Sequence, residues 1–128
     1  MKGEQFIAEV KNLAELDSNE DTQKTVRATL ETLRERLAGN EPADLAAQLP
    51  PEIVPFVEGT GGGETFPAQE FYDRVAKKEG VEGEEAIRHA RAVATVVQTA
   101  VSGGALEDAR SQLGNDYGEL FGQTGASA

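Results

Sequence analysis

The chain has 128 residues, with 23 acids against 12 bases and a formal net charge of −11. This length fits a single domain that buries about two-thirds of the surface of its unfolded chain, so no disulfide or metal staple is needed. The absence of cysteine excludes disulfides, thiolate metal sites and thiol nucleophiles. With no Trp and 5% aromatic residues, base-stacking platforms are excluded, and the negative charge opposes a phosphate backbone, so no nucleic-acid partner is expected.

Leu, Ile, Val and Phe supply 28 of the 128 residues. That fraction lies just above the roughly 20% below which a highly charged chain stays disordered, so a folded domain is expected. The opening MKGEQFIAEV lacks the apolar stretch of a signal peptide. No window reaches the run of about 18 apolar residues that spans a bilayer. The expected setting is the cytoplasm, with no membrane partner.

The predicted elements are helices. Phe6, Ile7, Val10, Leu13 and Ala14 form one stripe of an amphipathic helix. Leu16-Asp17-Ser18-Asn19 breaks it, with Ser18 or Asn19 placed to accept free amides of the next helix. That second helix carries Val26, Leu30, Leu33 and Leu37 on its core face and stops at Gly39. Pro42 suits the first turn of a short helix reaching Leu49, which Pro50-Pro51 ends. EGTGGGE, residues 58–64, reads as a flexible connector. Pro67 then opens a helix holding Phe71, Tyr72 and Val75, ended by Gly80.

Residues 92–101, AVATVVQTAV, are rich in β-branched side chains and read alone as a strand. An internal repeat decides otherwise. Residues 25–57 align without gaps on residues 89–121 at an offset of 64, with six of 33 positions identical. These are Arg27/Arg91, Ala28/Ala92, Gly39/Gly103, Asp44/Asp108, Gln48/Gln112 and Leu49/Leu113. Upstream the offset becomes 65, bringing Phe6 onto Phe71, Val10 onto Val75, Leu16 onto Val81 and Glu20 onto Glu85. Residues 92–101 thus align with the helix former ATLETLRERL, and context overrides their propensity. This helix is expected to be the most buried element.

The expected architecture is an all-α bundle of about six to eight helices from two tandem repeats related by a pseudo-two-fold axis. Residues 1–121 form one domain, with repeat 1 at about 3–57, the connector at about 58–66 and repeat 2 at about 67–121. Residues 122–128 are expected to be a flexible tail. The predicted core comprises Phe6, Val10, Val26, Leu30, Leu33, Leu37, Leu49, Phe71, Val75, Val93, Val97, Val101 and Leu113.

Catalytic signatures are absent. GTGGGE lacks the Gly-Lys-Ser/Thr ending of a phosphate loop, and neither a calcium loop nor a G-x-S-x-G elbow is present. His89 is the sole histidine, with Glu85 one turn before it, but its repeat mate is Thr25, so the scaffold does not require it. No catalytic, metal or cofactor residue is assigned, and no cofactor is expected. The duplicated Arg27, Asp44, Arg91 and Asp108 are expected to form an Arg–Asp link in each repeat between the long and short helices. The alternative is that both arginines converge on an anionic ligand. Tyr117 and Phe121 are the available anchors for a partner, core packing being their competing role.

The pattern TVRATLETLRERLAGNEPADLAAQLPPEI, with FYDRVAKKEGVEGEEAIRHARAV in the second repeat, resembles the prokaryotic domain-of-unknown-function family 2267. The resemblance covers about Phe6 to Phe121, LAGNEPADLAAQLP being its most specific part. It implies a small all-α, two-repeat domain of bacteria and archaea, sometimes beside small regulatory modules, and brings no activity or catalytic residues. Gly114-Asn115 depart from the Pro50-Pro51 of the first repeat.

Three functions are compatible with these features. A non-catalytic module contacting an unidentified protein, as a monomer or weak homodimer, comes first. A binder of a small or lipid-like molecule comes second, and an enzyme with a buried carboxylate pair third. A cavity lined by both repeats with convergent polar groups would favour the binder.

Overall fold

The computed structural model describes residues 1–121, so the tail expected at 122–128 lies outside the described residues. Six α-helices follow one another: α1 (Gly3–Ala14), α2 (Asn19–Arg36), α3 (Glu41–Ala46), α4 (Ala68–Glu79), α5 (Gly83–Ala100) and α6 (Gly103–Ser111). Single 3-10 turns at Val54–Phe56 and Asn115–Tyr117 follow α3 and α6. The all-α expectation holds, and no strand occurs among the described residues.

Local chemistry sets the boundaries. The Ser18 hydroxyl accepts the Asp21 amide at 3.1 Å and starts α2. Ser102 does the same for Ala105 at α6. Pro67 precedes α4, and Gly80 ends it in the left-handed region at φ +73°. Residues 92–101 are helical through Ala100, because α5 is enclosed by helices that bury Ala92, Val93, Ala94, Val96 and Val97.

The two 18-residue helices α2 and α5 pack on each other, and the 12-residue helices α1 and α4 each pack on both. The short helices α3 and α6 meet at one end. Two bonds cross there in opposite directions. Gln48 Oε1 accepts the Ser102 amide at 2.6 Å, and Gln112 Oε1 accepts the Ala38 amide at 2.7 Å. Residues 38 and 102, like 48 and 112, are 64 apart.

Of the predicted core, all but Leu113 are buried; Leu113 is half-buried, at the end of α6. Leu13 departs from its stripe and is 52% exposed on the outer edge of α1. Helix α5 is not the most buried element alone, since α2 buries as many residues, among them Thr22, Thr25, Thr29 and Thr32. Thr22 and Thr32 return their hydroxyls to the carbonyls of Ser18 and Ala28, which makes their burial cheap.

The connector is the main local correction. Rather than running free, its amides dock on the carbonyls left unpaired at the end of α2. Gly61 donates to Gly39, Gly62 to Arg34, Gly63 to Leu37 and Glu64 to Glu35, at 2.8–3.0 Å. The approach is close enough that a β-carbon at Gly61 would fall on the Leu37 carbonyl, and one at Gly62 would lie 2.7 Å from Glu35 O. A charge cluster fastens the outer side. Arg74 reaches Glu35, Glu64 and Glu70 at 2.7–3.1 Å, and Lys78 reaches Glu35 at 3.0 Å. The Arg74 guanidinium also stacks 3.9 Å from the Phe66 ring centroid.

Tyr117 and Phe121, the candidate anchors, lie in the core at 3% and 5% exposure. Tyr117 donates its hydroxyl to Phe66 O at 2.7 Å and meets Phe71 edge-on. Tyr117 therefore braces the second 3-10 turn against α4, the Phe121 ring centroid lies 5.8 Å from the Arg110 guanidinium, and neither has the exposure that a partner anchor needs.

This burial has a measurable consequence. It pushes the Tyr117 phenol up to about 12 and raises Tyr72 as well. An unfolded phenol titrates near about 10, so the stabilisation is complete below that pH and is lost as pH rises from about 10 to about 12. The urea midpoint is expected to fall across that window, with phenolate absorbance of the folded protein lagging that of the unfolded chain. Coincident titrations would contradict the packing.

Candidate functional site

The α1–α2 and α4–α5 turns come together at one end of the α2–α5 pair. Glu15 ends α1 in the left-handed conformation at φ +56°, and Gly80 ends α4 at φ +73°. Between them opens a cleft of about 350 Å³. Two pairs of its lining residues are aligned by the sequence repeat, Leu16/Val81 and Thr25/His89, and Asp21, Lys24, Glu85 and Arg88 line it as well. Residues from both halves thus face one space.

The floor is polar and buried. Glu79, the last residue of α4, and His89 on α5 have side chains 3% and 2% exposed. His89 Nδ1 lies 2.9 Å from Glu79 Oε1, and the Thr25 hydroxyl donates to that same oxygen at 2.6 Å. A carboxylate oxygen only accepts, so the ring proton belongs on Nδ1 and is donated to Glu79. The opposite sides of both groups are unsatisfied: among the described residues, Glu79 Oε2 and His89 Nε2 are buried and have no hydrogen-bond partner. Buried polar atoms are paired in the great majority of cases, and each exception needs a reason.

The rim is charged. Glu15, Asp17, Asp21 and Glu85 stand against Lys24 and Arg88, and Arg88 lies 3.8 Å from Glu15. No group of three or more His, Cys, Asp or Glu residues suited to a metal occurs among the described residues. A buried imidazole beside a carboxylate can orient a polar molecule through hydrogen bonds.

The residues singled out by the repeat lie elsewhere. Arg27 is exposed, pairs with Glu31 at 3.3 Å and sits 5.8 Å from the Phe56 ring centroid. Asp44 is exposed in the first turn of α3, whereas Asp108 is exposed in the middle of α6, which starts earlier than the repeat register implies. Arg91 lines a separate open groove with Leu13 and Ile87. Neither expected Arg–Asp link is among the ion pairs of the described residues, because the (i, i+4) carboxylate Glu31 captures Arg27 and Asp108 is carried around α6.

Sequence reasoning set His89 aside and looked for its partner in Glu85. The actual partner is Glu79, ten residues upstream across the α4–α5 turn. A signal was present, since Phe71, Val75 and Glu79 recur at intervals of four and place a carboxylate on the buried stripe of α4.

Fold and cleft together define a small all-α domain with a polar cleft closed over a buried glutamate–histidine pair. The chain belongs to the family described as Uncharacterized conserved protein (DUF2267), whose family model matches residues 3–120. A search of curated proteins finds no match. No helix among the described residues is long and apolar enough to cross a membrane.

Proposed function

We propose that the chain is a duplicated helical unit whose two copies enclose a ligand-binding cleft, and that its function is to bind a small polar molecule there. The equal lengths of α1 and α4 and of α2 and α5, with the reciprocal Gln48 and Gln112 bonds, support the duplication. Isologous contacts of this kind are what two-fold-related units make.

The observation that carries the function is the floor of the cleft. Glu79 and His89 are more than nine-tenths buried, hydrogen-bonded on one side and unpartnered on the other among the described residues, and both line the cleft. A volume of about 350 Å³ falls within the range of small-ligand sites. The repeat mates of these residues are Ala14 and Thr25, both buried, so the same scaffold position folds without a Glu–His pair. The pair is therefore an addition to one copy, and binding accounts for it better than folding does. The module contacting a partner protein loses support, because its anchors Tyr117 and Phe121 are interior.

Amide chemical-shift mapping with a panel of polar fragments tests this reading. Perturbations are expected to cluster at residues 15–25 and 79–89. Clustering around Arg27 and Arg91, or on the groove beside Leu13, would contradict it.

A further inference from the structure

We infer that the cleft selects small organic cations (amines, amidines or guanidines), with the buried Glu79 Oε2 as the acceptor for their N–H groups. This rests on the cleft being a ligand site and adds the chemistry of what enters it.

The argument counts donors and acceptors. Glu79 Oε1 receives two donors, the Thr25 hydroxyl and the His89 Nδ1 proton. Oε2 receives none among the described residues. His89 Nε2 is likewise unpartnered among the described residues. The floor therefore offers an unsatisfied carboxylate oxygen. A carbonyl, a second carboxylate or a phosphate has no proton to give it, whereas an ammonium or a guanidinium does.

Charge points the same way. The rim carries four carboxylates against two basic side chains, and one of those, Arg88, lies beside Glu15. The floor adds Glu79, and the chain as a whole carries −11. A cleft lined by one predominant sign concentrates ions of the opposite sign. A metal ion fits less well, since no cluster of three or more ligating side chains is present among the described residues. The asymmetry of the floor adds specificity: Ala14 and Thr25 hold the registers of Glu79 and His89 in the first half, so the cation head has one place to sit.

The test uses three probes of similar length: 1,4-diaminobutane, 1,4-butanediol and succinate. Amide shifts are followed in the full chain at moderate salt. Diaminobutane is expected to shift residues 15–25 and 79–89 saturably, while the diol and the diacid leave them in place. Glu79→Gln is expected to weaken diaminobutane binding by about tenfold or more, the loss of a charge-assisted hydrogen bond. Should that variant fail to fold, Asp21→Asn/Glu85→Gln alters only exposed rim side chains, and each change is expected to weaken binding by up to about threefold.

Shifts at the cleft with the diol or the diacid but not the diamine would overturn the cation assignment and leave the ligand site standing. Shifts spread over the acidic surface and unchanged by these substitutions would mean counter-ion condensation and overturn it as well. Silence of the cleft amides to all three probes would count against both readings.

Discussion

Gly61→Ala is expected to destabilise the protein by about 3 kcal/mol, combining overpacking with loss of connector hydrogen bonds. The thermal midpoint should fall by roughly 10 °C for a domain of this size. The cause is local and steric: a β-carbon at this position collides with the Leu37 carbonyl, and retreat of the connector breaks its four bonds to residues 34–39. Gly103→Ala is the matched control. Gly103 opens α6 with nothing near its missing β-carbon, so alanine there is expected to be neutral or to stabilise by up to about 1 kcal/mol. Equal, small effects at both positions would mean that the connector is a free linker.

The second large effect separates binding from folding at the floor of the cleft. Glu79→Ala is expected to cost about 3 kcal/mol, because it leaves His89 and the Thr25 hydroxyl buried without their acceptor. Replacing both members with apolar residues of similar volume, Glu79→Met/His89→Leu, is expected to recover most of that loss. Thr25 can then turn its hydroxyl to the preceding turn, as Thr22 and Thr32 already do. A buried pair exchanged as a unit for hydrophobic residues is often neutral or stabilising. Urea unfolding of wild type, Glu79→Met, His89→Leu and the double variant forms the cycle that measures this coupling. A double variant as unstable as the sum of the singles would make the pair structural and remove the main support for a ligand site.

Legibility in the sequence followed how local the determining physics was. Helix stripes, the Ser18 cap and the Gly80 terminator were readable, because periodicity and capping act within a few turns; the helical state of residues 92–101 was readable only from their alignment with the helix former at residues 28–37. The docking of the connector was not readable: composition marks Gly-rich segments as flexible, while close approach to the end of α2 is a tertiary fact. The same holds for the Arg–Asp links, where identity across repeats suggested a shared pairing that the nearer Glu31 took for Arg27. The Glu79–His89 pair was half-visible. Its glutamate sits on an apolar stripe, but only the packing of α4 on α5 and α2 brings together three polar groups from three helices.

The most direct measurement follows from His89 being the only histidine in the chain. Its two ring nitrogens give a single pair of resonances in a long-range proton–nitrogen correlation spectrum, free of overlap. Nδ1 is expected to carry a proton shared with Glu79, and the ring resonances to move as 1,4-diaminobutane is added. A pair of resonances unmoved by saturating diamine, or an Nδ1 without a proton, would contradict the floor as described and the cation site built on it.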